Sequence, residues 1–229
     1  MISLAITTYN RYEMTIESFS KVIDDERIGD IVILDDASTD GSYERLRDYF
    51  EGNEKVRVIR QVKNRGMSLN KKDAIGLAKY AWVLIFDSDN ILDVNYLDAL
   101  FAEPFYLTNV IYLPDGAMPQ FPYQEFSGLF FDKKNVKKYL PVKYFEQALN
   151  TCNFFVHGPT YSRIYEENKS VLEVDTLWFN YLWLKAGYGF KFVKGMEYFH
   201  RVHEGSGWLR NPGLNIAKAE EIKKLIKDL

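Results

Sequence analysis

Two hydrophobic periods take turns along the first ninety residues. Short, mostly apolar runs at Ile2–Thr7, Ile31–Leu34, Val56–Ile59 and Trp82–Phe86 read as strands, the later ones buried on both faces. Between them, apolar residues recur at helical spacing. One helix is predicted over about Tyr12–Asp24, with Met14, Ser18, Phe19 and Val22 toward the sheet. A second carries Tyr43, Leu46 and Phe50, and a third spans about Leu69–Tyr80 with Ala74, Leu77 and Ala78 inward. Asn10 followed by Glu13 has the spacing of a capping box, and Thr39 or Asp40 is placed to cap the second helix. Strand and helix alternating in this way imply right-handed parallel crossovers and a doubly wound sheet. Three strand ends, at Thr7, Asp35 and Asp87, then meet on one edge, where ligands bind in open α/β sheets.

After Asn95 the elements become shorter and more mixed. Strands are predicted at Val110–Leu113, Gly128–Phe131, Asn153–His157 and Phe190–Val193. Helices are predicted over Tyr96–Glu103, around Val136–Tyr139, from Pro159 to about Glu167, and over 175–186 with Gly187 as its stop. A polar loop, His200–Trp208, precedes an amphipathic helix over about Leu214–Leu229. That helix sets Ile216, Ala219, Ile222, Leu225 and Ile226 on one side, for its own domain or for a partner. With no repeat, linker or low-complexity stretch, residues 1–229 are expected to form one domain, with halves 1–95 and 96–229.

Composition changes this picture only slightly. The 229 residues are 47% hydrophobic and 27% charged, ordinary for a globule with a real core. A net charge of −3 gives no reason to expect nucleic acid as partner. The lone cysteine, Cys152, excludes an internal disulfide and a cysteine zinc site, which fits a reducing compartment. Met1 leads straight into a strand, and no apolar run reaches membrane-spanning length. The expected location is the cytoplasm, with docking at a membrane surface left open.

The chemistry gathers at the strand ends. Asp87-Ser88-Asp89 offers two hard oxygen ligands where the fourth strand stops, a pair suited to Mg²⁺ or Mn²⁺ holding a substrate's phosphates. Acids in such a place also cap loops. Asp35-Asp36 is harder to read as capping, since burial and mutual repulsion both oppose it. Neither GxGxxG nor GxxxxGK[ST] is present, so a phosphate here needs a metal or helix N-termini.

Taken together, the motifs resemble the GT-A fold glycosyltransferases of family 2, an inverting group. Thr7-Thr8-Tyr9-Asn10-Arg11 looks like the family's first nucleotide-binding loop, and Leu34 to Ser42 like its second signature. Asn64-Arg65-Gly66-Met67-Ser68 with Lys71 is similar to the third, and Asp87-Ser88-Asp89 to the D-x-D. The resemblance implies an α/β, Rossmann-like, mainly parallel sheet flanked by helices, with a smaller acceptor-side subregion. It implies a nucleotide-sugar donor, most simply a UDP-sugar, and a carbohydrate, glycolipid or glycoprotein acceptor. Tyr9 would stack on the base, Thr7 hydrogen-bond it, and Asp36 accept from uracil N3–H. Arg11 and Ser88 belong to the same nucleotide site, and Arg65 or Lys71 would meet the phosphates. Asp87 is assigned to ribose or metal, and Asp89 to the metal. His203, with His200 as alternate, would join Asp89, and an imidazole ligand favours Mn²⁺ over Mg²⁺.

The resemblance also implies a carboxylate base at the start of the helix that ends Lys185-Ala186-Gly187-Tyr188. That points to Asp175, with Glu173 as alternate; the other reading of Asp175 is the helix N-cap. Acceptor choice is expected in Pro114–Tyr161, with Tyr123 and His157 as possible sugar contacts. Two other readings stand beside this one. A nucleotidyltransferase would carry a glycine-rich basic loop after the first strand, and Thr7–Arg11 has no glycine. A non-catalytic carbohydrate-binding relative would keep the fold without use for its paired acids.

Overall fold

The computed structural model describes residues 1–203 and 211–229, apart from the side chains at 172 and 173. Among these residues the strands join in one nine-stranded mixed sheet. Its parallel core is β1 (Ile2–Thr8), β2 (Ile28–Asp35), β3 (Val56–Arg60) and β4 (Trp82–Asp87), ordered β3-β2-β1-β4. Consecutive residues Leu4, Ala5 and Ile6, or Val83 to Phe86, are all fully buried, so both sheet faces are covered, as their unbroken apolar character requires. Helices α1 (Tyr12–Phe19), α2 (Ser42–Tyr49) and α3 (Met67–Gly76) make the crossovers.

Both α1 and α3 stop short of the predicted lengths. After α3, the backbone N–H of Lys79 donates to Asp30 Oδ2 (2.9 Å) and that of Tyr80 to Ser3 Oγ (3.0 Å), which draws the chain off the helix and into β4. Asp30 is fully buried and also takes hydrogen bonds from Ser3 Oγ (2.8 Å) and Arg57 Nε (2.8 Å). Burial would raise its pKa; the Arg57, Lys79 and Ser3 hydrogen bonds overcome that and hold it below the ordinary 3.8.

The second half continues the same sheet. After α4 (Val94–Phe101), β5 (Val110–Met118) runs parallel to β9 (Gly189–Phe199). Between β4 and β5 lies β8 (Phe154–His157), antiparallel to both. Short β6 (Phe121–Pro122) pairs with β5, and β7 (Phe130–Phe131) with β9. Because β8 is antiparallel, His157 pairs with Trp82 at the start of β4, the edge away from the strand-end acids. His157 therefore does not take the sugar-contacting position considered for it. The same reversal brings the residues just before β8 to the acid-bearing edge.

Helices α5 (Phe145–Leu149), α6 (Gly158–Ile164) and α7 (Asp175–Lys185) complete this half, and α5 had no counterpart in the sequence pattern. The C-terminal helix (Pro212–Lys227) buries Ala219, Ile222 and Ile226 against its own domain, while Ile216 is 54% and Leu225 39% exposed. One apolar cluster runs from Ile2 to Ile226 through both halves. No described helix is long and apolar enough to cross a membrane.

Candidate active site

Register builds the site. Thr7 pairs with Asp87, and Thr8 with Asp35, so the ends of β1, β2 and β4 lie level. The β9 end joins them, as Met118 pairs with Phe199 and His200 N–H donates to Met118 O (2.7 Å). A cavity of about 930 Å³ opens on this edge, within the size range of small-ligand sites. Thr7, Tyr9, Arg11, Asp36, Arg65, Lys71, Asp87, Asp89 and Asp175 all line it.

The loop after β1 is fixed by Asn10, but not through a helix cap. Asn10 adopts a left-handed φ of 53°, a conformation Asn tolerates. Its Oδ1 accepts from Thr39 N–H (2.8 Å) and its N–H donates to Ser38 Oγ (2.8 Å). Asn10 thus ties the β1 loop to the β2 loop, and α1 has no side-chain cap. The two acids ending β2 divide by role. Asp35 is fully buried and accepts from the Ser38 N–H and hydroxyl, so it shapes the loop. Asp36 accepts from the N–H groups of Arg65 (2.7 Å) and Gly66 (2.9 Å) and faces the cavity. Burial pushes the Asp36 carboxyl up, against those backbone hydrogen bonds. The Arg65 guanidinium itself is bound to Asp73, which leaves it at the rim in an ion pair of its own.

At the end of β4 the three motif residues separate. The Asp87 N–H donates to Asn153 Oδ1 (2.8 Å), and burial raises its carboxyl, with Lys71 opposing and Asp89 adding to the shift. Asp89 Oδ2 takes both Arg11 Nη1 (2.7 Å) and His203 Nε2 (3.0 Å). Ser88 is fully buried and does not line the cavity, unlike the nucleotide contact expected of it. Ser88 stands in the turn that follows β4, closed by Asn90 N–H donating to Asp87 O (3.2 Å), and that turn buries its hydroxyl away from the cavity. Of the two histidines, His203 meets Asp89, while His200 Nδ1 lies 3.1 Å from Asn90 Oδ1 and packs against Phe121. Among the described residues no group of three or more His, Cys, Asp or Glu side chains is assembled around a metal position.

The facing wall is the start of α7. Asp175 is the first helical residue, and its side chain caps nothing: Leu177 N–H is satisfied by Asn150 Oδ1 (3.0 Å) instead. The capping reading of Asp175 is therefore excluded. The residue is 5% exposed, with Oδ2 3.4 Å from Lys71 Nζ and Oδ1 unpartnered. Glu173, the alternate, has its side chain outside the described residues, as do Ser206 and Trp208 of the C-terminal loop. Asn150, Asn153 and Thr176 were not assigned to the site from the sequence, and Cys152 was read there only for what a lone cysteine excludes. The polar run ahead of β8 was the signal, and the reversed direction of that strand is what gives it meaning.

Residues 3–105 match the family described as glycosyl transferase family 2. Glycosyltransferase GlyG of Streptococcus pneumoniae is 28% identical over 104 residues, 45% of this chain and 35% of GlyG. TarS of S. aureus in complex with UDP-GlcNAc shares the fold with a TM-score of 0.72 at 17% identity, over 100% of this chain and 67% of TarS residues 1–349. The mannosyltransferase PcManGT from Pyrobaculum calidifontis, in complex with GDP-Man and Mn²⁺, has a TM-score of 0.65 at 15% identity, over 98% and 67%. This chain thus spans about a third of GlyG's length.

Proposed function

We propose that this chain, whose residues 3–105 match glycosyl transferase family 2 and whose fold matches GT-A structures, is an enzyme that transfers a sugar from a nucleotide-sugar to an acceptor hydroxyl. The donor is a UDP-sugar, and the acceptor a glycan or a glycan-bearing lipid or protein. Transfer inverts the anomeric centre in one displacement. One observation carries this reading: Asp36, Asp87 and Asp89 line one wall of the cavity, and Asp175 faces them with a buried, unpartnered carboxylate oxygen.

Thr7, Tyr9, Arg11 and Asp36 form the nucleoside end. Asp36 already orders the Arg65–Gly66 backbone through its carboxylate, and a carboxylate retains lone pairs for a uracil N3–H. Asp87 serves the ribose. The donor set of Asp89 and His203, a carboxylate and an imidazole, fits Mn²⁺, with the donor's diphosphate supplying further oxygens. Such a metal offsets the charge that grows on the departing diphosphate. Arg11 now supplies the positive charge beside Asp89. Asp175 Oδ1 is the group that takes the acceptor hydroxyl's proton.

The test adds UDP-GlcNAc, UDP-glucose, UDP-galactose and GDP-mannose singly, with Mn²⁺, to the protein and follows release of UDP or GDP. Release from at least one UDP-sugar is expected, with the product's anomeric configuration inverted by NMR. No release from any donor, together with no calorimetric binding of UDP, refutes the proposal.

A further inference from the structure

Lys71 is buried and already paired with groups of the protein. Its side chain is 4% exposed, on the Asp175 side of the cavity. The ammonium donates to Cys152 Sγ (2.8 Å) and lies 3.4 Å from Asp175 Oδ2. Cys152 Sγ in turn lies 3.1 Å from Thr176 Oγ1, the residue next to Asp175. Three elements thus close a ring: α3 through Lys71, the segment before β8 through Cys152, and the start of α7 through Asp175 and Thr176. A buried ammonium is costly unless its partners are well placed. Burial opposes its charge, and Asp175, Cys152 and Asp87 together outweigh burial. Burial also pushes the Cys152 thiol up, so it stays protonated and neutral.

We propose that Lys71 is a positioning residue for Asp175 and not a phosphate ligand: it engages Oδ2, fixes the carboxylate, and leaves Oδ1 open to the acceptor hydroxyl. The inference rests on Asp175 being the base. With Oδ2 held by Lys71 and the α7 backbone held by Asn150, the carboxylate has one free oxygen and one orientation. Cys152 completes the arrangement as a neutral partner that spans α3 and α7 without adding charge. Asp87 acts on the same ammonium, so Lys71 also offsets the charge of two acids that would otherwise repel one another.

The test compares Lys71→Met, Lys71→Arg and Asp175→Asn with the native protein. UDP affinity is measured by calorimetry with Mn²⁺, and turnover as UDP release from the UDP-sugar the native protein uses. For Lys71→Met we expect UDP affinity within about twofold, KM for the donor little changed, and kcat lower by about 100-fold, the scale of a misplaced reacting group. Lys71→Arg should restore part of kcat. A crystal structure of Lys71→Met should show the Asp175 carboxylate rotated. Loss of UDP affinity by about tenfold or more, with kcat retained, would return Lys71 to the phosphates and overturn the proposal. So would native kcat in Lys71→Met while Asp175→Asn is inactive. Native turnover in Asp175→Asn instead refutes the base itself. Should Lys71→Met fail to fold, Lys71→Met/Asp175→Asn, which removes both charges, is expected to fold and bind UDP. Failure of that double variant to fold or to bind UDP also overturns the proposal.

Discussion

Asp89 Oδ2 carries two cationic or hydrogen-bonding neighbours, Arg11 and His203, at 2.7 and 3.0 Å. A carboxylate so placed recruits positive charge whichever way it is supplied, by guanidinium or by a divalent ion. Removing it strips the donor site of the only acid that meets both residues among the contacts described. Asp89→Ala is therefore expected to weaken Mn²⁺-dependent UDP binding by more than about tenfold, or 1.4 kcal/mol, with the circular dichroism spectrum unchanged. Calorimetric titration of UDP with and without Mn²⁺ decides it, and an unaltered isotherm removes Asp89 from the metal. Asp175 is different, because its Oδ1 is buried without a hydrogen-bond partner. Asp175→Asn should bind UDP as the native protein does and lose about 10² to 10⁴ in kcat, the usual contribution of a general base. Both acids stood out in the sequence, one through D-x-D and one through its place ahead of a helix. What the sequence left open was which oxygen is occupied. That depends on Lys71 and His203, which lie 104 and 114 positions away from their partners.

Elements decide how firmly those residues are held. Asp30 links β2 to Ser3 on β1, Arg57 on β3 and the backbone of Lys79 after α3. Its folded pKa lies below the ordinary 3.8, so ionised Asp30 stabilises the fold fully above that value. The contribution disappears as pH falls through the lower, folded value. Asp30→Asn should cost about 1–3 kcal/mol near neutrality, where a charge-assisted network loses its charge. The gap between variant and native urea midpoints should close below pH 3.8; a gap that persists or widens there contradicts the assignment. The periodicity of this half was legible, since β1 to β4 and α1 to α3 all lie where the apolar runs and helical spacings placed them. The ends of α1 and α3 were not, and at α3 the reason is hydrogen bonds from the chain after it to Asp30 on β2 and Ser3 on β1.

The whole molecule depends on the cluster that runs from β1 to the C-terminal helix. That helix packs on the second half of the chain, where Lys223 pairs with Glu146 of α5 at 2.6 Å. Ile226, fully buried, is expected to cost about 2–4 kcal/mol on truncation to Ala through lost burial and the remaining cavity. With one core, urea unfolding followed by tryptophan fluorescence and by far-UV circular dichroism should give coincident curves in the native protein and in Ile226→Ala. Two separated transitions would show that residues 1–95 and 96–229 are independent units. By itself the sequence determined the parallel half, the level strand ends and the acids upon them, because buried strands and helices write their periods locally. The tertiary structure alone decided what those acids face. The reversed direction of β8 brings Cys152 and Asn153 to the site, turns His157 away from it, and lets Lys71 meet Asp175. Strand direction is settled by packing between distant segments, and no local pattern encodes it.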